Sequence, residues 1–282
     1  MGSSVYEELE VSQHRQKGPS VWDSATELPR ILLEVTTLAY SWPLLTSAPR
    51  GDGHPVMVLP GFLGGDESTL VMRRYLARLG YEVLPWEQGQ NNGSFELQEQ
   101  LVQHVYLVTR KFDRKLTLIG QSLGGVFARA LARQFPDDVR QVITLGSPFS
   151  SQGPEATNAA VARMFQYMSG MTAEEMRDQM IVSTQGPIPV PATAIYSKSD
   201  GVVHWSSCLD FEGEQTENIE VISSHTGMAH NPLIFHVLAD RLAQPEGGWQ
   251  PFKRNSGCRS MLFPKPQIRG QRDRGKGDQA KT

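Results

Sequence analysis

From residue 55 onward the chain alternates short, largely apolar runs with longer stretches of helical periodicity, and that alternation admits few architectures. "PVMVL" (55–59), "YEVLPW" (81–86), "KLTLIG" (115–120), "QVITLG" (141–146), "ATAIYS" (192–197) and "NIEVIS" (218–223) read as six strands. The first of them, "PVMVL", is apolar throughout, as expected of a strand buried on both faces. Between them lie helical patterns: "ESTLVMRRYLARLG" with Gly80 as its stop, "SFELQEQLVQHVYLVTRKF" (94–112), "LGGVFARALARQF" and finally "NPLIFHVLADRL". Strand–helix alternation at this spacing predicts a mostly parallel sheet with helices on both sides.

The flanks read differently. Residues 1–22 are polar and expected to be flexible. From Asp23 to Tyr40, Leu28, Ile31, Leu32, Val35, Leu38 and Ala39 recur every three or four residues. That spacing predicts an amphipathic helix stopped by the prolines at 43 and 49. Residues 150–191 break the rhythm, with Met164, Met168, Met171, Met176 and Met180 followed by "QGPIPVPA". The reading is therefore one α/β domain over 23–248, an insertion at 150–191, and a tail at 249–282. That tail holds nine Lys and Arg against two acids, so it carries +7 and leaves −10 for the rest of a chain of net charge −3. Poor in apolar residues, it is expected to be largely disordered from about Asn255.

Bulk composition excludes several classes. At 39% hydrophobic and 20% charged residues the chain has enough for a core. A net charge of −3 gives no reason to expect nucleic acid or a membrane surface as partner. No apolar run approaches the length of a span, so no stable membrane insertion is expected. The first 25 residues lack a basic start and an apolar run, which speaks against a signal peptide. Tyr6 stands where a myristoylation signal needs Ser or Thr. Cys208 and Cys258 make no disulfide framework, and two free thiols fit a reducing cytoplasm.

The chemistry concentrates at "LTLIGQSLGGVFARAL". Gly120-Gln121-Ser122-Leu123-Gly124 fits Gly-x-Ser-x-Gly between a buried-type strand and an amphipathic helix. A serine in so tight a strand-to-helix turn needs neighbours without side chains. The turn would lift its hydroxyl above the sheet and aim the first amides of the helix, Leu123 among them, at the same point. Here the chain resembles the α/β-hydrolase superfamily, over roughly residues 54–243. The resemblance implies Ser122 as nucleophile and a second oxyanion donor from the loop after the first strand. In "VLPGFLGGDEST" that donor would be the amide of Phe62, with Pro60 where related families often carry His.

Superfamily order asks for an acid and then a histidine, each after its own strand. Asp200 stands three residues past "ATAIYS", ahead of Asp210, Glu212 and Glu214. Past "NIEVIS", position in the chain leaves both His225 and His230 open, while His204 follows Asp200 too closely and His236 lies within the last helix. "SSHTGM" and "IYSKSDGVV" resemble the histidine- and acid-bearing segments of bacterial lipases. Carried over, the resemblance selects His225 as base and Asp200 as acid.

What the resemblance implies is a serine hydrolase of small-molecule or lipid esters, esterase- or lipase-like, with no metal and no cofactor. An acyltransferase or thioesterase would use the same three residues, and a catalytically silent binding module would need none of them. The insertion at 150–191 falls where the superfamily often carries a cap or lid. Met164 and Met168 would then offer an adaptable apolar surface to substrate, or pack permanently on the core. Trp86, at another strand end, is expected either to line an acyl pocket or to be structural. His225→Ala should reduce turnover to the level of Ser122→Ala, and the double variant should be no worse than either, because triad members act as a unit. His230→Ala should cost at most about tenfold, or ~1.4 kcal/mol of barrier. Steady-state rates on folded variants give the ranking, and the reverse order would transfer the role of base to His230.

Overall fold

All six apolar runs pair side by side in the computed structural model, which describes residues 18–149, 157, 159–170, 172, 175, 186–211, 213–254 and 259–267. The strands are β1 (Pro55–Leu59), β2 (Glu82–Leu84), β3 (Leu116–Gln121), β4 (Val139–Leu145), β5 (Ala192–Tyr196) and β6 (Thr216–Glu220). They form one sheet in the order β2-β1-β3-β4-β5-β6, every pair parallel. The order reverses between β1 and β3, and ligands of open parallel sheets bind outside the strand ends at such a reversal.

Eight helices are described: α1 (Val21–Ala25), α2 (Glu27–Leu45), α3 (Asp66–Leu79), α4 (Phe95–Thr109), α5 (Leu123–Gln134), α6 (Ala159–Ser169), α7 (Pro232–Leu242) and α8 (Arg259–Leu262). Their ends carry the expected signals. Gly80 closes α3 at φ 99°, Ser94 caps α4 by accepting from the Leu97 amide, and Asn231 caps α7, with Pro232 in its first turn. Alternate residues of each strand face opposite layers. Met57, Leu59 and Leu118 pack with α4, α5 and Phe165 of α6, while Val56, Val58 and Ile119 pack with α3, α7 and the buried residues of α2.

Three expectations change. First, α2 runs through Pro43 to Leu45. Pro43 forfeits one hydrogen bond near the helix end, and buried Leu38 and Leu45 on either side hold the last turns in place. Second, the face of α2 turned inward is mixed, polar in its first half and apolar at Leu38 and Leu45. Leu28, Leu32, Leu33 and Leu44 are exposed, and the buried positions are Glu34, Leu38 and Leu45. Third, the tail returns to the domain before leaving the described residues. Phe263 is 1% exposed, its ring 4.9 Å from that of Phe252, and the Gln267 amide donates to the Tyr196 hydroxyl at 2.7 Å. One aromatic anchor is enough to draw a polar segment onto the surface, and tail-wide composition averages it away. Half of the expected cap at 150–191, including Met171, Met176 and Met180, lies outside the described residues, as does Cys258. Removal of the chain after Ser256, or Phe263→Ala, should lower stability by about 3 kcal/mol, the cost of emptying a buried aromatic site. Urea unfolding midpoints measure it; unchanged midpoints would show that Phe263 contributes no packing.

Candidate active site

The strand-end loops meet at the edge where the sheet order reverses. Ser122, between β3 and α5, has φ 51° and ψ −121°, a conformation that costs any L-residue free energy. Its amide donates to the Leu145 carbonyl at 2.8 Å, tying the turn to β4. The turn closes only because its neighbours lack side chains. A Cβ on Gly120 would overlap the Gly124–Gly125 backbone, and one on Gly124 would overlap the Leu59 and Pro60 carbonyls. The loop after β1 also runs beside the serine, since a Cβ built on Gly61 would stand 3.2 Å from Ser122 Cβ and 4.0 Å from its Oγ. Ser122 keeps partial exposure, so its hydroxyl is reachable. Leu123 begins α5, so its amide lies among the donors that a helix leaves unpaired.

Asp200 and His225 come together from the loops after β5 and β6. Asp200 Oδ2 lies 2.6 Å from His225 Nδ1, with both side chains buried. Asp200 Oδ1 accepts from the Val202 and Val203 amides at 2.8 and 2.7 Å, which fixes the carboxylate plane. Gln121, next to the serine, donates from Nε2 to the His225 carbonyl at 3.2 Å, joining the β3 turn to the histidine loop. Burial by itself would lower the His225 pKa. The charge of Asp200, its hydrogen bond and the charge of Glu27 outweigh that and hold it above the ordinary 6.5.

The other candidates are engaged elsewhere. His230 ends the 3-10 turn Thr226–His230 with its buried Nδ1 unpartnered, and burial lowers its pKa. His204 contacts Ser206 Oγ at 2.8 Å, and His236 lies against Phe263. Asp210 is spent in a buried pair with Arg129, at 2.5 and 3.1 Å. Glu214 is exposed, and Glu212 lies outside the described residues. Among the described residues no cluster of His, Cys, Asp and Glu fits a metal ion.

The residues expected to line the site divide. Trp86 is fully buried, with Nε1 donating to the Gly89 carbonyl at 2.9 Å, so it offers no free face. Met164 and Met168 sit on the outer side of α6, at 45% and 39% exposure. Phe165 between them turns inward instead, its ring edge-on to Phe62 with centroids 5.1 Å apart. One helical turn spans 3.6 residues, so Met164 and Met168 share a face that Phe165 leaves.

A family model described as the alpha/beta hydrolase fold matches residues 54–186. The parallel sheet and its flanking helices have the α/β-hydrolase fold. Solved structures with this fold include one of the metagenome-derived lipolytic enzymes LipS and LipT, 17% identical with a TM-score of 0.53, covering 69% of this chain and 95% of that one. The monoacylglycerol lipase of Paleococcus ferrophilus is 13% identical with a TM-score of 0.54, over 70% of this chain and 96% of its own. Lipase B of Aspergillus fumigatus is 17% identical with a TM-score of 0.53, over 70% of this chain and 54% of its own. At such identities the likeness is one of fold. No curated protein matches the chain in sequence.

Within this hydrolase fold, a residue that sequence reading passed over holds the loop after β1. Asn91 is fully buried, exchanges backbone hydrogen bonds with Leu63 and Gly64, and donates from Nδ2 to the Pro60 carbonyl at 2.9 Å. Leu63 is held at φ 62° there. "GQNNGS" reads as an ordinary polar turn, and only the tertiary fold shows which asparagine enters the core. Asn91→Ala strands the buried Pro60 carbonyl and should cost about 1–3 kcal/mol in urea unfolding. A variant as stable as the parent would mean that other contacts hold this loop.

Proposed function

We propose that this chain is a serine hydrolase of carboxylic esters, esterase- or lipase-like, with Ser122 as nucleophile, His225 as base and Asp200 as the acid that orients it. The observation that carries the reading is the buried 2.6 Å contact between Asp200 and His225, joined through Gln121 to the strained turn of Ser122. An imidazole whose Nδ1–H is held by a carboxylate presents Nε2 as an acceptor.

In this mechanism Ser122 Oγ attacks the ester carbonyl carbon as His225 Nε2 takes the hydroxyl proton. The negative charge moves to the carbonyl oxygen, where the amides of Phe62 and Leu123 donate to it. On collapse the bond to the alcohol oxygen breaks and His225 returns the proton to that oxygen. Water then attacks the acyl-enzyme with His225 again as base, releasing the acid and Ser122. Phe62 and Phe165 support an apolar wall for the acyl group. An acyltransferase or thioesterase would differ only in the acceptor or leaving group, and a silent binding module would have no use for a strained serine. A cytoplasmic setting is the accompanying proposal, supported by the buried free thiol of Cys208. Among the described residues no helix is long and apolar enough to cross a membrane.

A fluorophosphonate probe should label Ser122 and leave Ser122→Ala unlabelled, with hydrolysis of short and medium-chain esters falling by several orders of magnitude in the variant. Absence of labelling in the folded protein would falsify the reading. Because His225 acts only when neutral and its pKa is raised, kcat/KM should be lost as pH falls through a midpoint above 6.5. A pH–rate profile flat across that region would remove His225 from the role of base.

A further inference from the structure

The first half of α2 turns Glu27, Arg30 and Glu34 inward, and these polar groups converge on the two loops that carry Asp200 and His225. Glu27 accepts from the His225 amide through both carboxylate oxygens, each at 3.0 Å, and its Oε1 also accepts from the Gly201 amide at 2.9 Å. Arg30 takes the complementary groups. Its Nη1 donates to the Ser199 carbonyl at 2.5 Å and to the Ser223 carbonyl at 3.5 Å, while Nη2 meets Glu27 Oε1 at 3.2 Å and the Asp23 carbonyl at 2.7 Å. One anion thus holds the N–H groups of residues 201 and 225, and one cation holds the C=O groups of residues 199 and 223. The pair spans both loops.

We propose that Glu27 and Arg30 are positioning residues that hold Asp200 and His225 in register across the two loops. The inference rests on the triad assignment above and goes beyond it. Neither residue reaches the reacting atoms, so neither is catalytic. A helix kept only for packing would turn Leu28, Leu32 and Leu33 inward, yet these are 76%, 70% and 63% exposed. The helix also precedes the span that matches the hydrolase family, residues 54–186. Ser24 strengthens the same join, donating from Oγ to the Gly201 carbonyl at 2.6 Å.

The charged and titratable groups around His225 are Asp200 on the β5 loop, Glu27, Arg30 and Glu34 on α2, and His230 on its own turn. Glu34 accepts from the Ser224 amide at 3.0 Å and from Ser223 Oγ at 2.5 Å, so it supports the same loop one helical turn or two further along. The Glu27 charge acts to raise the His225 pKa. Its removal should therefore shift the acid limb of the rate profile to lower pH.

The test is Glu27→Gln in the full chain, with active sites counted by fluorophosphonate titration so that misfolded protein drops out. The expected result is a kcat per titrated site about ten- to a hundredfold below wild type, as displacement of a catalytic group produces, with KM within about twofold. The acid limb should move to lower pH. An unmoved limb, whether or not kcat falls, overturns the inference, because loss of packing alone has no reason to shift it. Should Glu27→Gln fail to fold, Glu27→Asp decides. A lowered kcat per site with a wild-type limb supports the pair, and a wild-type kcat overturns it. A wild-type protein that neither labels nor turns over would instead defeat the triad reading itself.

Discussion

The rest of the site depends on a buried carboxylate facing a buried imidazole at 2.6 Å. A charge removed from water must be compensated on every side, and Asp200 is compensated by the Val202 and Val203 amides on one oxygen and His225 on the other. That arrangement requires the loops after β5 and β6 to keep a fixed separation. The parallel pairing of the two strands, from Ala192↔Thr216 to Tyr196↔Glu220, brings their ends level. Beyond the strand ends the Ser197 and Ser199 hydroxyls bond the Ser223 backbone directly, and the Glu27–Arg30 pair on α2 adds a second tie.

A second constraint is steric and belongs to the other half of the site. The Ser122 turn is strained, and it persists because Gly120 and Gly124 let β3, α5 and the end of β1 approach within backbone contact. The same closeness lays the loop after β1 along the serine, where Asn91 pins it from below. Gln121 connects the halves through the His225 carbonyl. The rigidity of the sheet is thereby passed to a hydroxyl that is itself only half-buried.

Helix α2 shows how function competes with amphipathic logic. Its apolar residues at three- and four-residue spacing predict a stripe facing the core, but Leu28, Leu32 and Leu33 face outward. The inward direction is chosen by Glu27, Arg30 and Glu34, which find amides, carbonyls and hydroxyls on the site loops. Those polar groups would be costly to leave unpaired in a partly buried place, while the three leucines forgo only the gain of their own burial.

By itself the sequence determined the sheet and the tight turn at Ser122. Both are local matters: apolar runs of strand length, helical spacing, capping residues such as Gly80, Ser94 and Asn231, and glycines flanking Ser122 act over a few residues and leave a readable pattern. Position in the chain left His225 and His230 open, and motif resemblance chose between them. The geometry puts His225, and not His230, against Asp200. Tertiary structure alone decided which way α2 faces, that Phe165 rather than Met164 or Met168 turns toward Phe62, that Trp86 is sealed in the core, and that Phe263 draws part of the tail onto the domain. In each case the partner lies far off in sequence. Glu27 meets His225 across 198 residues, and a contact of that range leaves no periodicity behind it.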